Sequence, residues 1–150
     1  MFDKIYIAND HGGYDAKVLL VKYLTDKKYA VEDMGSHDTE IVRYPYYAEK
    51  VANAVIKNPG SGGILICSTG IGMSIIANKF KGIRASMCTD GYMAKMTRKH
   101  NNSNILCLGG RITGEFGIYD IADNWLDGEY EGGRHDISLG LIREFEEGQL

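Results

Sequence analysis

A cysteine followed by a corner of small residues is the arrangement in this chain best suited to chemistry. Gly62-Gly63-Ile64-Leu65-Ile66-Cys67 is an apolar run that ends in a thiol. Ser68-Thr69-Gly70-Ile71-Gly72-Met73-Ser74 is a glycine-rich turn, and Ile75-Ile76-Ala77-Asn78-Lys79 can start a helix. The pattern reads as a buried strand feeding a helix N-terminus. Such a corner presents backbone N–H groups and the positive end of the helix dipole to whatever lies above it. A thiol at the last strand residue sits beside that positive end, where the thiolate is favoured. The corner thus offers a base or nucleophile, together with a cradle for a carboxylate, a phosphate or a developing oxyanion.

Other residues of the right types follow other apolar runs. Asp10 and His11 follow the first, Thr89 and Asp90 the fourth, and Arg111 the fifth. His100 and Asn101 end a helical stretch, which the sequence places near the same edge. Arg134 and His135 follow Gly132-Gly133, a flexible approach to the last helix. Arg111 and Arg134 suit a phosphate, although taken singly each reads as a solvated charge. His11, His37, His100 and His135 show no HxH or HExxH spacing, so no metal site is expected. Gly70-Ile71-Gly72 begins like a dinucleotide fingerprint, but it lacks the third glycine and follows the third strand. No P-loop pattern is present, so no nucleotide cofactor is expected. Cys88 and Cys107 lack such a corner and read as core residues.

The elements that must position these groups alternate. Apolar runs at Lys4–Asn9, Ala30–Met34, Gly62–Cys67, Ile83–Cys88 and Ile105–Gly110 read as strands. Helices follow from Tyr14, from Tyr44-Pro45, after the Cys67 corner, from Gly91 to His100, around Ile118 to Trp125, and from Asp136. The first carries Ala16, Leu19, Leu20, Tyr23 and Leu24 on one stripe, and the second Ala48, Val51, Ala52 and Val55. Met93, Met96 and His100 share a stripe. Ile137, Leu141, Ile142 and Phe145 of the last helix are expected to face inward. Proline in the first turn suits a helix start. Continuous apolar strands alternating with helices predict a parallel sheet covered on both faces. Ligands of such sheets bind at the carboxyl ends of the strands.

At 150 residues, 44% apolar and 25% charged, the chain fits one globular domain, 1–150. A net charge of −3 gives no support for binding to nucleic acid or a membrane surface. No apolar run approaches the length of a bilayer span, and the opening residues do not read as a signal peptide. The three cysteines, odd in number and without CxxC spacing, indicate reduced thiols. The expected location is the cytoplasm.

Several motifs carry a family resemblance. They are Asp10-His11-Gly12-Gly13, Tyr44-Pro45, Ile66 through Ser74, Ala77-Asn78-Lys79, Gly82-Ile83-Arg84-Ala85, His100-Asn101, Leu108-Gly109-Gly110-Arg111 and Glu131-Gly132-Gly133-Arg134-His135. In this order they resemble the ribose-5-phosphate isomerase B family, which also contains galactose-6-phosphate isomerase subunits and allose-6-phosphate isomerases. The resemblance implies a Rossmann-like three-layer α/β/α sandwich with sheet order 2-1-3-5-4. It implies a homodimer, in some members paired into tetramers, with shared active sites and no cofactor. By position, Cys67 resembles the base that moves a proton between C1 and C2 of a phosphosugar. Thr69 resembles the group handling protons on O1 and O2, and His100 the residue that opens the furanose ring, assisted by Asp10. Ser68, Gly70, Ile71, Gly72, Met73 and Ser74 resemble the enediolate cradle, with Tyr44 among the substrate contacts. His11, Arg111 and Arg134 resemble phosphate ligands, and Asn101 a hydroxyl ligand. The resemblance has His100, Asn101 and Arg111 donated by a partner subunit.

Two positions depart from the family pattern. Ser138 stands where a second arginine is usual, and Arg43 where aspartate is common. Arg43 is expected to replace part of the missing phosphate charge, or the substrate differs in length. The implied reaction is isomerisation of ribose 5-phosphate and ribulose 5-phosphate. The alternatives are another phosphosugar (allose, galactose or a tetrose phosphate), a phosphosugar-binding protein without turnover, and a cysteine-nucleophile hydrolase. Binding alone requires none of Cys67, Thr69 and His100, and a hydrolase would need a general base beside Cys67.

Overall fold

A computed structural model describes residues 1–149. The strands are β1 (Ile5–Asn9), β2 (Val31–Asp33), β3 (Gly62–Cys67), β4 (Ala85–Met87) and β5 (Ile105–Gly109). They form one five-stranded sheet, every pair parallel, in the order β2-β1-β3-β5-β4. The helices are α1 (Tyr14–Asp26), α2 (Tyr44–Lys57), α3 (Ile71–Ala77), α4 (Gly91–Asn101), α5 (Glu115–Leu126) and α6 (His135–Glu146). The expected Rossmann-like sheet and its order are borne out. Among the described residues no helix is long and apolar enough to cross a membrane.

Side chains alternate across the strands and define the layers. Ile5, Ile7, Ile64, Ile66, Leu106 and Leu108 pack against α1, α4 and α5. Tyr6, Ala8, Leu65, Cys67, Ile105 and Cys107 pack against α2 and α3. β1, β3 and β5 are buried along their whole length. Burying one large apolar side chain contributes about 1.5–3 kcal/mol, so these strands carry much of the fold. β2 and β4 are shorter than the apolar runs suggested and only partly buried. Each lies at an edge and pairs on one side only, so its ends lose the ladder first.

Three helix faces differ from the periodicity. On α1, Leu19 is exposed, and the buried face includes Lys17. Its ammonium is satisfied by Asp33 Oδ2 at 2.6 Å and the Ser36 carbonyl at 2.9 Å. On α4 the Met93 stripe faces outward, and Gly91, Ala94, Thr97 and Arg98 are buried. The Arg98 guanidinium lies 4.6 Å from the Phe2 ring centroid and donates to the Ser103 carbonyl. A long side chain with a capped charge therefore occupies the inner position that periodicity gave to methionine. On α6 no residue is buried: Ile137 is 71% exposed, Phe145 67%, Leu141 44% and Ile142 41%. Among the described residues nothing buries its apolar stripe.

Candidate functional site

The carboxyl edge of the sheet gathers the first set of groups. Cys67 ends β3, only 6% exposed, and the Gly70 N–H donates to its Sγ at 3.1 Å. Gly70 can turn back in this way because its φ is +81°, a conformation that glycine adopts without penalty. The Thr69 hydroxyl accepts from the Ile71 N–H at 3.3 Å, and Ser74 Oγ donates to the Ile71 carbonyl at 2.8 Å. These local bonds hold the turn into α3, whose first N–H groups have no acceptor inside the helix. The Met73 side chain is fully buried, so only its backbone can serve a ligand. Tyr44 covers the start of α3, since a Cβ on Gly72 would come within 2.9 Å of its ring.

Asp10 and His11 adjoin this turn. The Asp10 N–H donates to the Ile66 carbonyl at 3.1 Å, and its Oδ1 accepts from the Gly12 N–H at 2.9 Å. Ser68 packs so tightly on Gly12 that a Cβ there would lie 2.1 Å from Ser68 Oγ. His11 Nδ1 accepts from the Val42 N–H at 3.4 Å, which assigns the ring proton to Nε2 and leaves it a free donor. Arg43, next to Val42, is exposed at the start of α2. The Arg111 N–H donates to the Ser68 carbonyl at 3.1 Å, and the Gly110 N–H to the Cys67 carbonyl at 2.8 Å. The Arg111 backbone therefore adjoins the turn that follows Cys67.

The second set lies elsewhere. α4 begins past the carboxyl end of β4 and runs back antiparallel to it, so His100 and Asn101 reach the amino edge. There the Asn101 carbonyl accepts from Arg84 Nε at 3.1 Å, and the Asn104 N–H donates to the Arg84 carbonyl. The sequence reading of His100 beside the Cys67 edge is corrected by this direction of the helix. Arg134 immediately precedes α6, and the His135 ring that follows stacks on His100 at a centroid distance of 4.4 Å. Arg134 thus keeps company with His100. Ser138, one turn beyond Arg134, is exposed. Among the described residues, the guanidinium groups of Arg43, Arg111 and Arg134 have no ion-pair partner.

Sequence reasoning missed Glu131, which lies 3.7 Å from His100 Nε2 and 2.6 Å from the Lys99 ammonium. The lysine holds its carboxyl below the usual glutamate range. Only its place in the motif ending at His135 pointed to it, because α4 and this segment are far apart in sequence. Burial pushes the Cys88 thiol up to about 11 and Cys107 well above its ordinary value, in keeping with core thiols. The larger clefts follow α4, β4 and α6. One of about 450 Å³ is lined by Met87, Tyr92, Met93, Met96 and Asn101 among others.

Comparison with known proteins supplies a lineage for this arrangement. The family described as Ribose/Galactose Isomerase matches residues 5–142. The ribose-5-phosphate isomerase B of Escherichia coli is 43% identical over 144 residues, covering 96% of this chain and 97% of that one. The structure of Clostridium thermocellum ribose-5-phosphate isomerase B superposes with a TM-score of 0.95 at 48% identity, covering 98% and 99% of the two chains. That of the Mycoplasma genitalium enzyme with bound ribulose-5-phosphate gives 0.93 at 36% identity, covering 96% of each. From its strand order to its glycine-rich corner, the chain belongs to the ribose/galactose isomerase family and is a sugar-phosphate isomerase.

Proposed function

We propose that this sugar-phosphate isomerase interconverts ribose 5-phosphate and ribulose 5-phosphate through a cis-enediolate, at sites that two copies of the chain share. The names of the relatives support the sugar. The observation that carries the mechanism is the Gly70 N–H aimed at Cys67 Sγ at the end of β3. A donor in that position suits negative charge on sulfur.

In the aldose-to-ketose direction, the Cys67 thiolate takes the hydrogen on C2 and the electron pair moves toward O1. Thr69 moves the O2 proton to O1, and the thiol returns its hydrogen to C1. Backbone N–H groups between Ser68 and Ser74 face the charge as it develops on oxygen. One such donor is worth about 3 kcal/mol in the transition state. The remote phosphate holds the chain in place, with His11, Arg111 and Arg134 as its ligands and Arg43 adding charge where Ser138 supplies none. Ring opening before this step falls to His100 with Asp10 assisting, and Asn101 binds a hydroxyl.

One chain cannot assemble that set, because its two halves lie at opposite edges of the sheet. A twofold axis that laid the amino edge of one copy on the carboxyl edge of another would complete two sites at once. The uncovered apolar stripe of α6, with Tyr92 at 74% and Met93 at 41% exposed on α4, offers the surface such a contact needs.

The test is an activity panel of four-, five- and six-carbon aldose phosphates with wild type and Cys67→Ala. Ribose 5-phosphate is expected to give the highest kcat/KM. Cys67→Ala is expected to lose about a hundredfold or more of turnover on it. Preference for a hexose 6-phosphate would overturn the sugar assignment, and an active Cys67→Ala variant would overturn the base.

A further inference from the structure

His100 is held in an ordered setting. Its ring lies 15° from parallel to that of His135, with centroids 4.4 Å apart. Glu131 Oε2 stands 3.7 Å from His100 Nε2 and 3.8 Å from His135 Nε2. The segment that brings these groups is tied down at both ends. The Glu131 N–H donates to the Lys99 carbonyl at 3.0 Å, and the Lys99 ammonium reaches Glu131 Oε1 at 2.6 Å. The Tyr130 hydroxyl donates to Asp136 Oδ1 at 2.8 Å. His135 is the more enclosed ring, its side chain 17% exposed against 37% for His100. It is therefore the fixed surface on which His100 rests.

The donor atoms of His100, Glu131 and His135 lie within 4.8 Å of one another, a spacing that invites a metal reading. Ring geometry argues against it. Two nearly parallel imidazoles at stacking distance direct their in-plane lone pairs side by side, not at one ion. Lys99 also already holds the carboxylate. What the arrangement does fix is the orientation of one imidazole. Stacking restricts rotation of the ring plane. At 3.7 Å the Glu131 carboxylate makes no hydrogen bond to Nε2, but its charge favours the flip that puts a nitrogen, not a carbon, at that corner. A proton-transfer group gains from such restriction, because rotation away from the reacting oxygen forfeits the aligned geometry.

We propose that His135 and Glu131 are positioning residues for His100, the stacked ring setting its plane and the carboxylate setting its flip. The proposal rests on the reading of His100 as the ring-opening group. It goes beyond that reading in giving His135 and Glu131 a part in the rate that involves no contact with the sugar.

The experiment measures kcat and KM on ribose 5-phosphate for His135→Ala, His135→Phe, Glu131→Gln, His100→Asn and the double variant His135→Ala/His100→Asn. His135→Ala is expected to lower kcat about tenfold with KM nearly unchanged, since the adjacent phosphate ligand Arg134 is untouched. His135→Phe keeps a flat ring in place and recovers most of the loss. Glu131→Gln lowers kcat severalfold. In the His100→Asn background, loss of His135 costs nothing further, because a residue acting through another has no effect once that other is gone. Full activity of His135→Ala beside an impaired His100→Asn would overturn the proposal. So would an additive double variant, or a His135→Phe variant as slow as His135→Ala. A fully active His100→Asn would instead overturn the assignment of His100 itself, so the two failures are distinguishable.

Discussion

Cys67 and His100 stand at opposite edges of one sheet. Cys67 closes β3 at the carboxyl edge, and His100 is next to last in α4, which returns to the amino edge over 11 residues. At 1.5 Å per residue that helix spans about 16 Å. The two side chains also belong to different layers, Cys67 packing on the side of α2 and α3 and α4 lying on the other. The chain thus keeps two separate groups of polar side chains, each tied down by its own backbone bonds.

Arg43 should matter to binding more than to turnover. Its neighbour Val42 donates to His11, which is proposed as a phosphate ligand, and among the described residues the Arg43 guanidinium has no ion-pair partner. Arg43→Ala is expected to raise KM for ribose 5-phosphate about tenfold with kcat largely kept, the pattern of lost uniform binding. Steady-state kinetics checks this. An unchanged KM for every phosphosugar would remove Arg43 from the list of ligands.

Gly70 is the backbone hinge of the account. A side chain there would be strained at φ +81°, and its Cβ would meet the Leu108 carbonyl carbon at 2.9 Å. Gly70→Ala should therefore cost about 1–3 kcal/mol of stability. It should also turn the N–H away from Cys67 and lower kcat about tenfold or more. Denaturant titration and steady-state rates read the two effects separately.

Alkaline pH should weaken the fold through the core thiols. Burial raises Cys88 to about 11 and Cys107 well above its ordinary value. A group with its folded pKa raised contributes stability that is complete below the unfolded value and is lost as pH rises through the folded one. Unfolded thiols begin to ionise near pH 9 while the folded ones stay neutral. The unfolding midpoint should fall between about pH 9 and pH 11, and Cys88→Ala should flatten that fall. Thermal unfolding across this range is the check.

Much of this was legible in the chain. The runs through Ile64 and Leu106 marked buried strands because parallel strands need apolar residues on both faces, and Cys67 at the end of its run marked the site edge. The surroundings of α6 were not legible: periodicity shows that it has an apolar stripe through Ile137, Leu141 and Phe145, but not whether the same chain or another covers it. The edge reached by His100 was legible and misjudged, because a helix joining two parallel strands must return to the amino edge. The stack of His100 on His135 was beyond local reading, because the segment after α5 makes it by folding back onto α4.

Mixing two inactive variants tests the shared site most directly. Cys67→Ala and His100→Asn each disable one half, and a mixed dimer regains one intact site from the two undamaged halves. Equal amounts unfolded together and refolded should recover about one quarter of wild-type activity, since random pairing makes half the dimers mixed and each has one working site. A mixture no more active than its parents would contradict the account, as it would mean that Cys67 and His100 never serve the same sugar across two copies.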